Sequence, residues 1–262
     1  MRIFLNHIYL RFLVVCLLAS SPVKADIGAP DSAFLHSSGK SGLSAELLTT
    51  FLRVAGPEPA LAADESLDEL NDLVAHLQSK RAKYRSERRF LSYLFYKVHR
   101  HYLKRYRSHT TLYELLSQGN YDCVTGSALY ALLFDALGIS YQIHEFPYHV
   151  YLTVTTADQA TIMIESTDPQ YGFVTDAKEQ AARYQHYRQR KEEEAYYHYD
   201  FTIQETINLL ELAGLSYFNE AVEHYNKQEL QPARRLLQQA RCLYASPRTE
   251  AFSTLINSVS QR

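Results

Sequence analysis

The chain predicts an α+β fold in which a central helix packs on a small antiparallel sheet, with helical extensions at the N- and C-termini. Three observations point there. Residues 123–137 are apolar nearly all round, so a helix there has to be buried between layers. Residues 149–154 and 162–165 alternate with period two, as the strands of a half-buried hairpin do. Residues 64–77 instead carry Leu67, Leu70, Leu73, Val74 and Leu77, the stripe of an amphipathic helix.

In order along the chain, residues 1–25 read as a secretory signal peptide. Arg2 and Arg11 flank the start, Phe12 to Ala19 is an apolar run, and Val23-Lys24-Ala25 offers small or apolar residues at the cleavage positions. The run is too short to span a bilayer, and no later segment approaches the roughly 20 apolar residues that spanning needs. An uncleaved anchor is the competing reading. The expected setting is periplasmic or secreted, with no integral membrane span once the signal is removed. Cleavage takes away Arg2, Arg11 and Lys24, so 27 basic residues become 24 against 29 acidic ones. That mild acidity, without long blocks of one sign, gives no electrostatic reason to expect nucleic acid.

Residues 26–110 form an N-terminal helical region after a loose lead-in to about Gly42. A short helix spans 45–54, a second covers 64–77, and a third runs over 82–105 with Phe90, Leu91, Leu94, Phe95, Val98 and Leu103 on its apolar side. The basic run from His99 to His109 reads as the solvated face of that third helix, with an anionic partner as the alternative. Residues 111–175 form the core. Thr111 to Ser117 is a short helix stopping at Gly119, and Asp122 caps the central helix, which Gly138 ends. Residues 140–143 make a first strand before the hairpin. Residues 176–262 form a C-terminal region: a charged helix over 176–194, an aromatic patch AYYHYDF, and a helix over 203–225. Tyr217, Asn219, Ala221, Tyr225, Leu230, Ala233, Leu237 and Ala240 then fall near the positions of one tetratricopeptide unit, with a plain helical hairpin equally compatible.

Chemistry concentrates between Gly119 and Pro169. Thiol acyl transfer needs a thiolate, a proton carrier and a group that orients the carrier. Cys123 in the first turn of a helix, His149 at the start of a strand and Glu165 at the end of the next one supply all three in order. Strand parity puts His149 and Glu165 on one face, and a turn around Thr156 to Asp158 sets them opposite each other. Asp168 has the other parity and stands as the alternative third member. Cys242 is the other thiol outside the signal segment, so a single Cys123–Cys242 bridge is the competing reading for the cysteines.

The residues DCVTGSALYALLFDALGI, PYHVYLTV and IESTDP resemble the core of the transglutaminase-like superfamily, which shares its fold with papain-type cysteine peptidases. The resemblance covers about residues 90–172. It implies Cys123 as nucleophile, His149 as base and Glu165, in Glu165-Ser166-Thr167, as orienting acid where the family has Asp. It further implies attack on an amide or peptide carbonyl through a thioester, with hydrolysis favoured over transamidation because bulk water competes with any amine. Asn120, Tyr121 or the Cys123 N–H would serve as oxyanion donor. No calcium loop and no zinc-like His or Cys spacing is visible, so neither cofactor nor metal is expected. The expected partners are a peptide or protein substrate and a protein partner on the C-terminal helices. A non-catalytic binding module working through those helices is the alternative function.

Overall fold

A computed structural model describes residues 43–56, 63–189 and 205–259. The signal segment, the lead-in and the AYYHYDF stretch lie outside the described residues. The architecture is α+β. Helices α1 (Ala45–Leu52), α2 (Ala63–Arg81) and α3 (Glu87–Tyr102) come first. The two-residue strand β1 (Arg105–Tyr106) and helix α4 (Leu112–Gln118) precede strand β2 (Asn120–Tyr121) and the central helix α5 (Cys123–Ala136). Strands β3 (Tyr141–Phe146), β4 (His149–Thr155), β5 (Thr161–Ile164) and β6 (Phe173–Val174) follow, then α6 (Ala177–Gln189), β7 (Glu205–Ile207), α7 (Leu209–Asn226), α8 (Leu230–Leu243) and α9 (Pro247–Val259).

The main sheet is antiparallel throughout, in the order β6-β5-β4-β3-β7, while β1 and β2 form a separate parallel pair. Alternation decides what each face of the main sheet packs against. Val150, Leu152, Val154, Ile162 and Ile164 join α5 in the large core, whereas Phe146, Tyr151, Met163 and Val174 form a second cluster against Tyr184 and Tyr187 of α6. Twelve of the 14 residues of α5 are buried, as an all-round apolar helix requires. Tyr130 stacks on Phe95 with ring centroids 5.5 Å apart and donates its hydroxyl hydrogen to the Phe95 carbonyl at 2.9 Å. Leu209, Leu212 and Leu215 of α7 enter the same core.

Three predicted elements shift. The helix expected from Ala82 begins at Glu87, because α2 continues to Arg81 and Ser86 caps the new helix by accepting from the Arg89 N–H. It ends at Tyr102, since Leu103 leaves helical dihedrals (φ −90°, ψ 83°) and turns its side chain into the core. The helix expected from residue 203 begins at Leu209. Glu205–Ile207 pair with Ile143–Glu145 as an edge strand instead, and the reciprocal Asn208–Glu211 capping box starts the helix. The β4–β5 register also differs by two residues. Thr156 N–H donates to the Ala160 carbonyl at 2.9 Å, giving a five-residue turn centred on Asp158, so Tyr151 rather than His149 comes level with Glu165. A two-residue slip preserves the face of every side chain.

The C-terminal helices α7, α8 and α9 close a small core of their own around Ala221, Ala233, Leu237, Phe252 and Ile256. Among the described residues no helix is long and apolar enough to cross a membrane.

Candidate active site

Asp122 builds the start of α5. Its Oδ1 accepts from the Thr125 N–H at 2.8 Å and the Thr125 hydroxyl at 2.9 Å, and its Oδ2 accepts from the Thr110 N–H at 3.3 Å. Burial raises the Asp122 carboxyl above the usual range, with the Thr125 and Thr110 hydrogen bonds opposing that shift. Cys123 follows immediately, and it and Asp135 are the residues of α5 that are not buried. Helix placement therefore leaves the thiol reachable while fixing its backbone. Cys123 and Cys242 are both free, so the bridge between them is absent.

One turn further, Gly126 lets the helix come close to the strand that carries the acid. A Cβ there would lie 2.8 Å from Ser166 Cβ, too close for any larger residue without displacing that segment. Gly172 acts on the same segment from the other side, since a Cβ would fall 2.1 Å from the Glu165 carbonyl oxygen. Bonds from Glu165 N–H to Gly172 O at 2.8 Å and from Gly172 N–H to Asp168 O at 2.9 Å close the 165–172 loop. Buried His99 donates from Nε2 to the Ser166 carbonyl at 3.1 Å, and burial lowers its basicity, so it serves this loop as a neutral ring.

His149 and Glu165 meet as a diagonal cross-strand pair. Its Cα separation is about 7–8 Å, which the longer glutamate side chain spans. Nε2 of His149 lies 2.5 Å from Oε2 of Glu165, with His149 11% and Glu165 2% exposed, so solvent screens the contact weakly. Cys123 lies close enough to the same imidazole to raise its basicity. Since Nε2 is committed to Glu165, Nδ1 is the atom left for sulfur. Burial by itself would depress the imidazole, but the neighbouring Cys123 and the hydrogen-bonded Glu165 outweigh it and push His149 up to about 10. Glu165 is likewise disfavoured by burial, yet the His149 contact and two bonds from Thr167 hold it below the usual carboxylate range. Thr167 N–H and hydroxyl both donate to Oε1, at 3.1 and 2.6 Å.

All three primary candidates thus converge, while Asp168 goes elsewhere. Its Oδ2 pairs with Arg183 Nη2 at 2.9 Å and its Oδ1 accepts from the Gln170 and Tyr171 N–H groups, a turn-closing role away from the imidazole. Asn120, a candidate oxyanion donor, spends a side-chain N–H on Gln118 Oε1 at 3.1 Å. No family model, curated protein or solved structure matches this chain. Its chemistry is read from these contacts.

Sequence reasoning missed Tyr187 of α6. Its hydroxyl donates to Glu165 Oε2 at 2.8 Å, and its ring centroid lies 4.3 Å from that of His149. One tyrosine therefore both completes the carboxylate's hydrogen bonds and walls in the imidazole. The period of α6 carries no core stripe, so nothing local distinguished Tyr187 from its neighbours Tyr184 and His186.

Proposed function

We propose that the protein is a transglutaminase-like cysteine hydrolase that cleaves an amide or peptide bond through Cys123, His149 and Glu165, in an exported setting given its N-terminal signal-like segment. The observation that carries this reading is that a single imidazole is hydrogen-bonded to a buried carboxylate and lies close to a helix-start thiol. That contact also favours catalysis over the binding-only alternative, for which no such alignment is needed.

An imidazolium beside sulfur stabilises the thiolate, and the N-terminus of α5 adds to that effect. The thiolate attacks the substrate carbonyl carbon, forming the C–S bond and placing negative charge on the carbonyl oxygen. The Cys123 N–H, in a first turn where helical N–H groups lack intrahelical acceptors, is the donor best placed to meet that charge. His149 then gives its Nδ1 proton to the departing amine as the C–N bond breaks, leaving a thioester. Neutral His149 next takes a proton from water as the water oxygen attacks; the C–S bond breaks, the acid leaves and the thiolate–imidazolium pair is restored. Glu165, held at both oxygens, keeps the ring oriented through both proton transfers.

Iodoacetamide labelling of the Cys242→Ser protein tests the pairing. Rapid Cys123 modification at pH 6, lost in His149→Ala, is the expected result. Modification that stays slow at pH 6 and accelerates only toward the free-thiol range near about 8.5 in both proteins would overturn the reading. A panel of peptides and glutamine-containing peptides, scored by mass for water or amine incorporation, then separates hydrolysis from transamidation.

A further inference from the structure

We infer that the exposed basic segment Lys104–Arg107 selects an acidic peptide segment next to the scissile amide, an inference that rests on Cys123 being the reacting centre. Sequence periodicity assigned these residues to the solvated face of a helix. They leave it instead: α3 stops at Tyr102, Leu103 plugs into the core, and Lys104, Arg105, Tyr106 and Arg107 emerge together as exposed residues.

Backbone pairing fixes where they emerge. Lys104 and Arg105 N–H groups both donate to the Gly119 carbonyl, at 2.9 and 3.0 Å, and Arg107 N–H donates to the Tyr121 carbonyl at 2.9 Å. Arg105 and Tyr106 lie beside Asn120 and Tyr121 in the parallel register, and the chain then runs through Asp122 into Cys123. The backbone of Arg105 and Tyr106 therefore runs about one strand spacing, roughly 4.8 Å, from Asn120 and Tyr121, which lead into the thiol's helix.

The charge of Lys104, Arg105 and Arg107 is left largely uncompensated. Arg105 makes no side-chain hydrogen bond or ion pair among the described residues, and Lys104 gives its ammonium to the neutral Arg100 carbonyl. Arg107 reaches Glu114 Oε1 only at 4.0 Å, with its own side chain 62% exposed. The nearby acids of the site loop are spoken for, Glu165 by His149 and Asp168 by Arg183. Tyr106, 55% exposed and set edge-on against Tyr121, presents its ring on the strand face opposite Arg105 and Arg107. Fixed cations open to solvent beside a reacting centre concentrate and orient anionic ligands. At a Debye length of about 8 Å they act on substrate residues close to the cleaved bond and not on remote ones. An amide-cleaving thiol makes a peptide the anionic ligand that fits.

The test uses the full chain carrying Cys16→Ser and Cys242→Ser and two hexapeptides, one rich in Asp and Glu and one with Asn and Gln in their place. Protection of Cys123 from iodoacetamide is expected at about tenfold lower concentration for the acidic peptide, a preference that shrinks as salt rises. Arg105→Gln with Arg107→Gln removes the preference, and it lowers the ratio of iodoacetate to iodoacetamide labelling rates severalfold. Equal protection by the two peptides, no protection by either, or a preference that persists in the double variant overturns the inference. Charge-selective protection in a protein that cleaves neither peptide leaves this inference standing and counts against hydrolysis alone.

Discussion

Two buried glutamates, Glu165 and Glu145, sit on the same sheet, and each is held by one tyrosine hydroxyl and one cation. Glu165 has Tyr187 and His149. Glu145, fully buried, accepts from Tyr244 at 2.6 Å and lies 2.7 Å from Arg248 Nη2, a contact without hydrogen-bond alignment. Their ionisation moves in opposite directions. Aligned donors from His149 and Thr167 hold Glu165 down, whereas burial outweighs Arg248 and Tyr244 and raises Glu145. The difference in partner separates their uses. Arg248 has no thiol beside it, and its pair is a clamp: it ties α9 to β3 and also donates to the Phe146 carbonyl at the turn leading to His149. A titratable imidazole close to a thiol suits the other pair to the proton-carrying role proposed for it.

The comparison breaks first at the thiol and imidazole. Cys123→Ala and His149→Ala should each lower amide cleavage by about 10³-fold or more with the fold retained, read by single-turnover kinetics and circular dichroism. Should either keep substantial turnover, the Glu165 pair is a second clamp. Glu165→Gln should follow at about 10²-fold or more, because an amide no longer stabilises the imidazolium. At the clamp, Arg248→Met should leave the rate of Cys123 labelling per folded molecule near wild type while costing about 3–5 kcal/mol in urea unfolding, since it strands a buried carboxylate. A labelling defect larger than the stability loss would show that the clamp positions His149 through the 146–149 turn.

A smaller effect sharpens the tyrosine's part. Tyr187→Phe removes one hydrogen bond to a charged acceptor and should cost about 1.5–3 kcal/mol of site stabilisation, seen as an acid limb of the labelling profile moved to higher pH. Tyr187→Leu should in addition lower the plateau, because the wall beside His149 goes. Stability should also vary with pH. A His149 raised in the folded state contributes stability that is fully present below about 6.5 and lost as pH rises through about 10. Glu165, depressed in the folded state, contributes stability present above about 4.3 and lost as pH falls further. The melting-temperature gap between wild type and His149→Ala should therefore narrow between pH 6.5 and 10, and a constant gap would contradict the ion pair.

Local chemistry made much of the site legible. Asp122 as a cap, an apolar helix after it and the period-two hairpin were enough to bring Cys123, His149 and Glu165 to one end of one sheet. The same reasoning set His149 opposite Glu165, which the five-residue turn at Thr156–Ala160 undid by two positions without changing the face. Asp168 and Glu165 look alike in sequence, and only the loop closed by Gly172 sends one to Arg183 and the other to His149.

By itself the sequence determined what periodicity and capping encode: the central helix, its N-terminus, the alternation of the strands and the face that His149 and Glu165 share. These depend on residues within a turn or two of one another, where dihedral preference and the need to bury apolar surface act directly. Tertiary structure decided the rest. Tyr187 reaches Glu165 from 22 residues away and Tyr244 reaches Glu145 from 99. The edge strand at Glu205–Ile207 forms because β3 offers it backbone partners. Lys104–Arg107 leaves its helix because Leu103 finds the core and Gly119 and Tyr121 take up the freed N–H groups. Such choices are made by contacts between distant segments, and no local pattern in either segment carries them.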